Sequence, residues 1–254
     1  MGAWLLWILA VSGESHGETL TVLAPDLPGT SEAGGVGRDA ETVKRVLQLC
    51  GYETTFILQP FGRHILTYTK SAVAAAVMTV PLPRQLEGAS TAAYIWYQNG
   101  AIYDSAITPH IASVEDLYGL KVVTFKDGVE LLDISDIESR LGDLLEISDQ
   151  RVHSRLLMLR RVDSILADGL IVAKVNQGIR EQEGNSRLFL DESQLRFAPI
   201  FTPSPFKMVF RDPLLAKAFD GCFDEAYKQG IIGDINEKYI SPYQHELGFR
   251  YLGF

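Results

Sequence analysis

KSAVAAAVMTVPLPRQLEGASTAAY, residues 70–94, is the stretch whose reading decides the fold. Its apolar run from Ala72 to Met78 is short for a helix and is stopped by Pro81 and Pro83, so it reads as a buried strand. Just past its end come a hydroxyl, Thr79, and a cation, Arg84. Ligands of open α/β sheets bind outside the carboxyl ends of the strands. Strand, hydroxyl, proline turn and arginine in that order therefore point to a pocket for an anion such as a carboxylate. The plain alternative is a buried strand followed by a turn whose Arg84 is solvated.

Upstream of this stretch, TLTVLAP (19–25) alternates and is β-branched, as a strand does. A glycine-rich loop leads to an amphipathic helix over Asp39–Cys50, with Val43, Val46, Leu47 and Cys50 on one face and Asp39 and Glu41 near its start. ETTFILQP reads as a second strand and Gly62–Lys70 as a helix, so the order is β-α-β-α-β, the pattern of a parallel sheet with helices on its faces. Downstream, Tyr94–Tyr103 is aromatic and strand-like, and Ser113 with Asp116 caps a short helix that Gly119 ends. The alternation then begins again with KVVTF, a mixed helix-and-strand segment, the helix SRLLMLRRV and the short strand DSILAD (163–168). FKMVF, a helix over Pro213–Gly230 and another over Ile231–Tyr239 close the series. Two α/β lobes whose strands end in polar residues would face each other across a cleft, where small-molecule sites prefer to form.

The 254 residues carry a net charge of −9, with 46% hydrophobic and 22% charged side chains. That composition is ordinary for a folded chain of one large domain or two lobes. The acidic balance gives nucleic-acid binding no electrostatic support. MGAWLLWILAVSGESHG resembles a secretory signal in its apolar core Ala3–Val11, too short to span a bilayer, although no Lys or Arg precedes it. Residues 1–17 are thus expected to be a signal peptide and the mature protein periplasmic. The two cysteines, Cys50 and Cys222, lack metal-ligand spacing; two separate buried thiols are favoured over a long-range disulfide. No metal site is expected. A dinucleotide reading of GGVGRD fails because the loop is long and the third glycine is missing, so no cofactor is expected.

With these residues in hand, the chain resembles the family 3 extracellular solute-binding proteins, the periplasmic receptors of polar amino-acid ABC transporters. The resemblance rests on GRDAETVKRVLQLCG (37–51), QPFGRHIL (59–66), MTVPLPR (78–84) with Tyr94 ten residues on, SVEDLYGLKV (113–122), RRVDSILAD (160–168) and KQGIIGDINEKY (228–239), each weak alone and all in the family's order. It implies an α/β, two-lobed type II periplasmic-binding fold, with a first lobe over 18–100, a second over 101–200 and a return to the first over 201–254. It also implies a monomer that captures a small polar, amino-acid-like solute by lobe closure and presents it to an ABC permease. Arg84 would grip the solute's carboxylate with its paired donors, Thr79 would add a donor, and Asp168 would accept from the ammonium. Phe61 would form the apolar wall, with Tyr94 nearby, and Gly128 and Val129 would occupy the place of the family's Gly-Thr-Thr turn.

The departures bear on the ligand. TFKDGVE (124–130) lacks the hydroxyls of that turn, Ala76 or Val77 replaces a serine, Ala72 replaces an aspartate and Arg38 an aromatic. Losing several donors at about 0.5–1.5 kcal/mol each would weaken amino-acid binding about a hundredfold or more. Arg38 and Lys126 would replace that polarity if they faced the cleft; as solvated surface cations, the favoured reading, they would not. Two rival functions are an exported enzyme, such as a dehydratase, and a ligand sensor on the same fold. An enzyme needs an acid or base in the cleft, for which His64 and Asp168 are the nearest candidates, and His64 reads better as a structural residue. His110, His153 and His245 suggest no ligand set or triad, and no catalytic residue is expected.

Overall fold

A computed structural model describes residues 17–183, 194–248 and 251–253. The expected signal peptide falls almost wholly outside these. Among the described residues no helix is long and apolar enough to cross a membrane.

The first lobe is built on β1 (Thr19–Pro25), whose inward residues Leu20, Val22, Leu23 and Ala24 are buried. Helix α1 (Arg38–Leu49) covers one face through Val43, Val46 and Leu47. β2 (Glu53–Gln59), α2 (Arg63–Lys70) and β3 (Ala76–Pro81) follow, and both strands run parallel to β1. β4 (Ala89–Tyr97) ends the first pass through this lobe, and β5 (Asn99–Asp104) already belongs to the second sheet. A one-turn 3-10 helix, Val114–Leu117, starts at the capping box formed by Ser113 and Asp116. β6 (Lys121–Thr124), α3 (Gly128–Leu131), a second 3-10 turn, β7 (Asp143–Glu146), α4 (Arg151–Met158), β8 (Ser164–Asp168), α5 (Gly169–Glu183) and β9 (Leu195–Ala198) complete the second lobe. The chain returns as β10 (Ser204–Phe210), α6 (Pro213–Lys228) and α7 (Ile231–Ile240), and α8 (Gln244–Leu247) follows.

The sheets run β2-β1-β3-β10-β4 and β7-β6-β8-β5-β9. Both are mixed, which corrects the expected parallel sheet. β10 is antiparallel to β3 and β4, and β5 is antiparallel to β8 and β9. The reason is the connection: each inserted strand arrives from the other lobe and enters its new sheet from the opposite end. The two crossing segments are stitched by one amide, since Gln98 Nε2 donates to the carbonyls of Phe201 and Asn99 at 2.8 and 3.1 Å.

Three further expectations change. The strand in the opening stretch begins at Ala76, because Ser71–Val73 is exposed, and it continues through Pro81. Thr79 therefore lies inside β3. It adopts φ 55° where β3 advances three residues against two on β10, a bulge that accommodates one extra residue. Cys50, at the end of α1, is disulfide-bonded to Cys222 of α6, with their Cα atoms 5.8 Å apart; packing of α1 on α6 supplies a proximity that a separation of 172 residues conceals. The last segment was expected to pack on the first lobe. Instead Leu247 and Tyr251 bury against Leu170 and Ala173 of α5, where the apolar face of the second lobe's long helix is available.

Candidate functional site

A cavity of about 760 Å³ lies between the lobes. The turn after β3 brings Pro81, Pro83 and Arg84 to its wall; the Arg84 N–H closes that turn on the Pro81 carbonyl at 3.0 Å, and its side chain is exposed. Phe61, just past β2, and Phe125, just past β6, face each other across the lobes, their rings meeting edge to face with centroids 5.9 Å apart. Both are 6% exposed, so the lobes are in contact here. Asp127, Glu130 and Asp168 add carboxylates, and Asn99 and Ser204, joined at 3.3 Å, add neutral polar groups from the crossing strands. A second bridge joins the lobes: Arg151 of α4 makes a two-point contact with Asp26, just past β1, at 2.8 and 3.3 Å.

Of the expected site residues, Arg84, Phe61 and Asp168 come together on this cavity. Thr79 and Tyr94 do not line it. Both are buried within the first lobe, 3.3 Å apart through their hydroxyls, and the Tyr94 ring packs edge-on against Phe219. Gly128 and Val129 also lie off the cavity lining. The main chain of Gly128 is pressed so close to Thr124 that a Cβ there would collide with that side chain, and the Val129 N–H donates to Glu146. Lys126 is half exposed and paired with Asp127 at 2.6 Å, as a solvated cation would be.

Arg38 is corrected on both expectations: it neither meets solvent nor lines the interlobe cavity. It is fully buried, with Nε on Asp39 at 3.1 Å, Nη2 on the Trp96 carbonyl at 3.0 Å, and its guanidinium over the Tyr97 ring. Tyr97 also donates to Asp39. Burial works against the Arg38 charge, but Asp39, with Tyr251 and Asp168 beyond it, holds the guanidinium above its ordinary value. Burial raises the Asp39 carboxyl despite Arg38 and Tyr97.

Asp168 ends β8 and caps the first turn of α5, its Oδ1 accepting from the Ile171 N–H at 3.1 Å. Its Oδ2 accepts from the Tyr251 hydroxyl at 2.7 Å. Burial pushes this carboxyl up to about 6, against the lowering by Arg38, Tyr251 and Ile171. His64 is fully buried in α2 beside Phe61; burial lowers it to about 4, so it is neutral at pH 7, and it does not line the cavity. Among the described residues no cluster of three or more His, Cys, Asp or Glu side chains forms a metal site.

No protein-family model and no curated protein matches the chain. Solved structures do. An ancestral arginine-binding protein bound to arginine superposes with a TM-score of 0.70 at 18% identity, over 89% of this chain and 99% of its own. The fold is the type II periplasmic-binding fold. A histidine kinase sensor domain with similarity to periplasmic binding proteins gives 0.69 at 20% identity, over 89% and 97%. The arginine-, lysine- and histidine-binding protein ArtJ from Geobacillus stearothermophilus gives 0.67 at 14% identity, over 88% and 96%. The first and third are amino-acid-binding proteins and the second is a sensor domain.

Phe125, Asp26, Arg151 and Tyr251 are not singled out by the sequence reading. Phe125 had a signal, since it follows its strand as closely as Phe61 follows β2. Tyr251 had none, because nothing local connects it to a residue 83 positions away.

Proposed function

We propose that this chain is a divergent family 3 solute-binding protein, exported to the periplasm, that captures a small polar solute by lobe closure and delivers it to an ABC permease. The observation that carries the reading is the interlobe cavity of about 760 Å³, with Arg84 on one wall and carboxylates on the other. That volume lies in the range of small-molecule sites, and exposed Arg84 suits a carboxylate through paired donors. Closure follows because groups on both lobes meet the same solute. Residues 18–100 and 201–254 then form lobe 1 and residues 101–200 lobe 2, with the last segment reaching across. Relatives of similar shape that bind arginine, lysine or histidine support an amino-acid-like ligand. The reading assigns no catalytic residue, and the burial of His64 outside the cavity supports that.

A sensor role is the second reading, favoured by the likeness to a histidine kinase sensor domain. A thermal-shift screen of amino acids, organic acids, polyamines and short peptides tests the common core of both. A solute at about a hundred times its Kd adds roughly 2.7 kcal/mol, several degrees for a chain of this size. Loss of the shift in Arg84→Ala is the expected result. Stimulation of permease ATP hydrolysis by the loaded protein would favour transport over sensing, and no shift with any class of solute would sink both.

A further inference from the structure

Asp168 is the cavity wall's most constrained carboxylate. A carboxylate turned into a cavity of about 760 Å³ would be reached by solvent, yet Asp168 is 1% exposed. Each of its oxygens already accepts a proton donor, Oδ1 from the Ile171 N–H and Oδ2 from the Tyr251 hydroxyl. The phenol reaches it from a protein-filled side. Tyr251 is itself 1% exposed, packed among Leu170, Ala173 and Leu247, with its ring 6.3 Å from that of Phe197. The charged groups around the pair are Arg38 and Asp39 of the first lobe.

We propose that Tyr251 is a specificity-determining residue of the cleft: by holding Asp168 against the last segment of the chain, it withholds that carboxylate from a solute's ammonium group. This rests on the solute-binding reading and deepens it. The cleft then recognises the carboxylate end of a solute through Arg84 and does not grip an α-ammonium through Asp168. A simple carboxylate binds about as well as the amino acid built on the same skeleton. Withdrawing the hydroxyl releases Oδ2 from its partner on the protein-filled side, and the carboxylate becomes free to turn and accept from the cavity. A charge-assisted hydrogen bond made on one side only discriminates strongly between two such ligands.

Calorimetry on the full chain would compare L-glutamate with glutarate, L-glutamine with glutaramate and L-arginine with desamino-arginine. In the unaltered protein each pair is expected to agree within about threefold. Tyr251→Phe keeps the buried ring and removes only the hydroxyl; it should strengthen binding of the amino acids by about tenfold and leave the desamino partners unchanged. Adding Asp168→Asn to Tyr251→Phe should erase the gain. An amino-to-desamino ratio that Tyr251→Phe leaves unchanged or lowers overturns the proposal. A second readout needs no ligand: the NMR titration midpoint of the Asp168 carboxyl carbon should rise in Tyr251→Phe, and an unmoved midpoint also overturns it. If the midpoint rises but no member of any pair binds either protein, the receptor reading fails and the selectivity claim with it, while the hydrogen bond stands.

Discussion

Replacing Asp168 by Asn should make the protein more stable at neutral pH and should flatten its stability profile between pH 4 and pH 6. The carboxyl sits at about 6 in the folded chain against an ordinary 3.8. Between those values the folded state keeps a proton that the unfolded chain has released, so stability falls as pH rises through the window and stays lower above it. Roughly two units, at about 1.4 kcal/mol each, give a cost of about 3 kcal/mol at pH 7. Asn removes the charge and keeps both contacts, because its carbonyl still accepts from Ile171 while its amide donates to the Tyr251 oxygen. Urea unfolding from pH 4 to pH 7.5 would read the difference directly. The two proteins should be nearly equal at pH 4 and separate by about 3 kcal/mol at pH 7.5, or roughly 6–12 °C in Tm. Asp39, whose carboxyl is also raised by burial, leaves both proteins a residual dependence of the same sign. A constant difference across that range, or an Asn variant that is the less stable at pH 7.5, would refute the reasoning.

Other perturbations test other parts of the fold. Cys50→Ser with Cys222→Ser opens a cross-link spanning 172 positions, worth up to about 5 kcal/mol in the chain-entropy view, so a loss of about 2–5 kcal/mol is expected in urea without reductant. Arg38→Met leaves Asp39 buried beside Tyr97 without its cation, and should cost about 3–5 kcal/mol in the same assay. Arg151→Ala removes the bridge to Asp26; with side chains 44% and 41% exposed the pair contributes about 0.2–1 kcal/mol, so solute affinity should fall by no more than about fivefold, and less in high salt.

Much of the architecture is legible in local patterns. The amphipathic period of α1 and the capping box at Ser113 and Asp116 are interactions between near neighbours, and each appears where the pattern expects it. The same holds for Arg84 and Phe61, which follow their strands directly and so project from the strand ends into the cleft. Thr79 falls outside this local logic: the apolar run gives no sign of the bulge, which depends on how the distant strand β10 pairs with β3. Gly128 and Val129 stand where the resemblance implies a turn whose hydroxyls this chain lacks, and α3 turns them toward Thr124 and Glu146 instead.

By itself the sequence determined the alternation of strands and helices, the two-lobed plan and the cation beside the cleft, because periodicity, caps and turns act over a few residues. Tertiary structure alone decided the antiparallel insertions, the disulfide, the burial of Arg38 and the contact between Asp168 and Tyr251. Each of these joins groups that no short-range pattern links, or depends on how much water the finished packing excludes. The charge state of a carboxylate is set by that exclusion, which is why Asp168 could be found in the sequence but its engagement by Tyr251 could not.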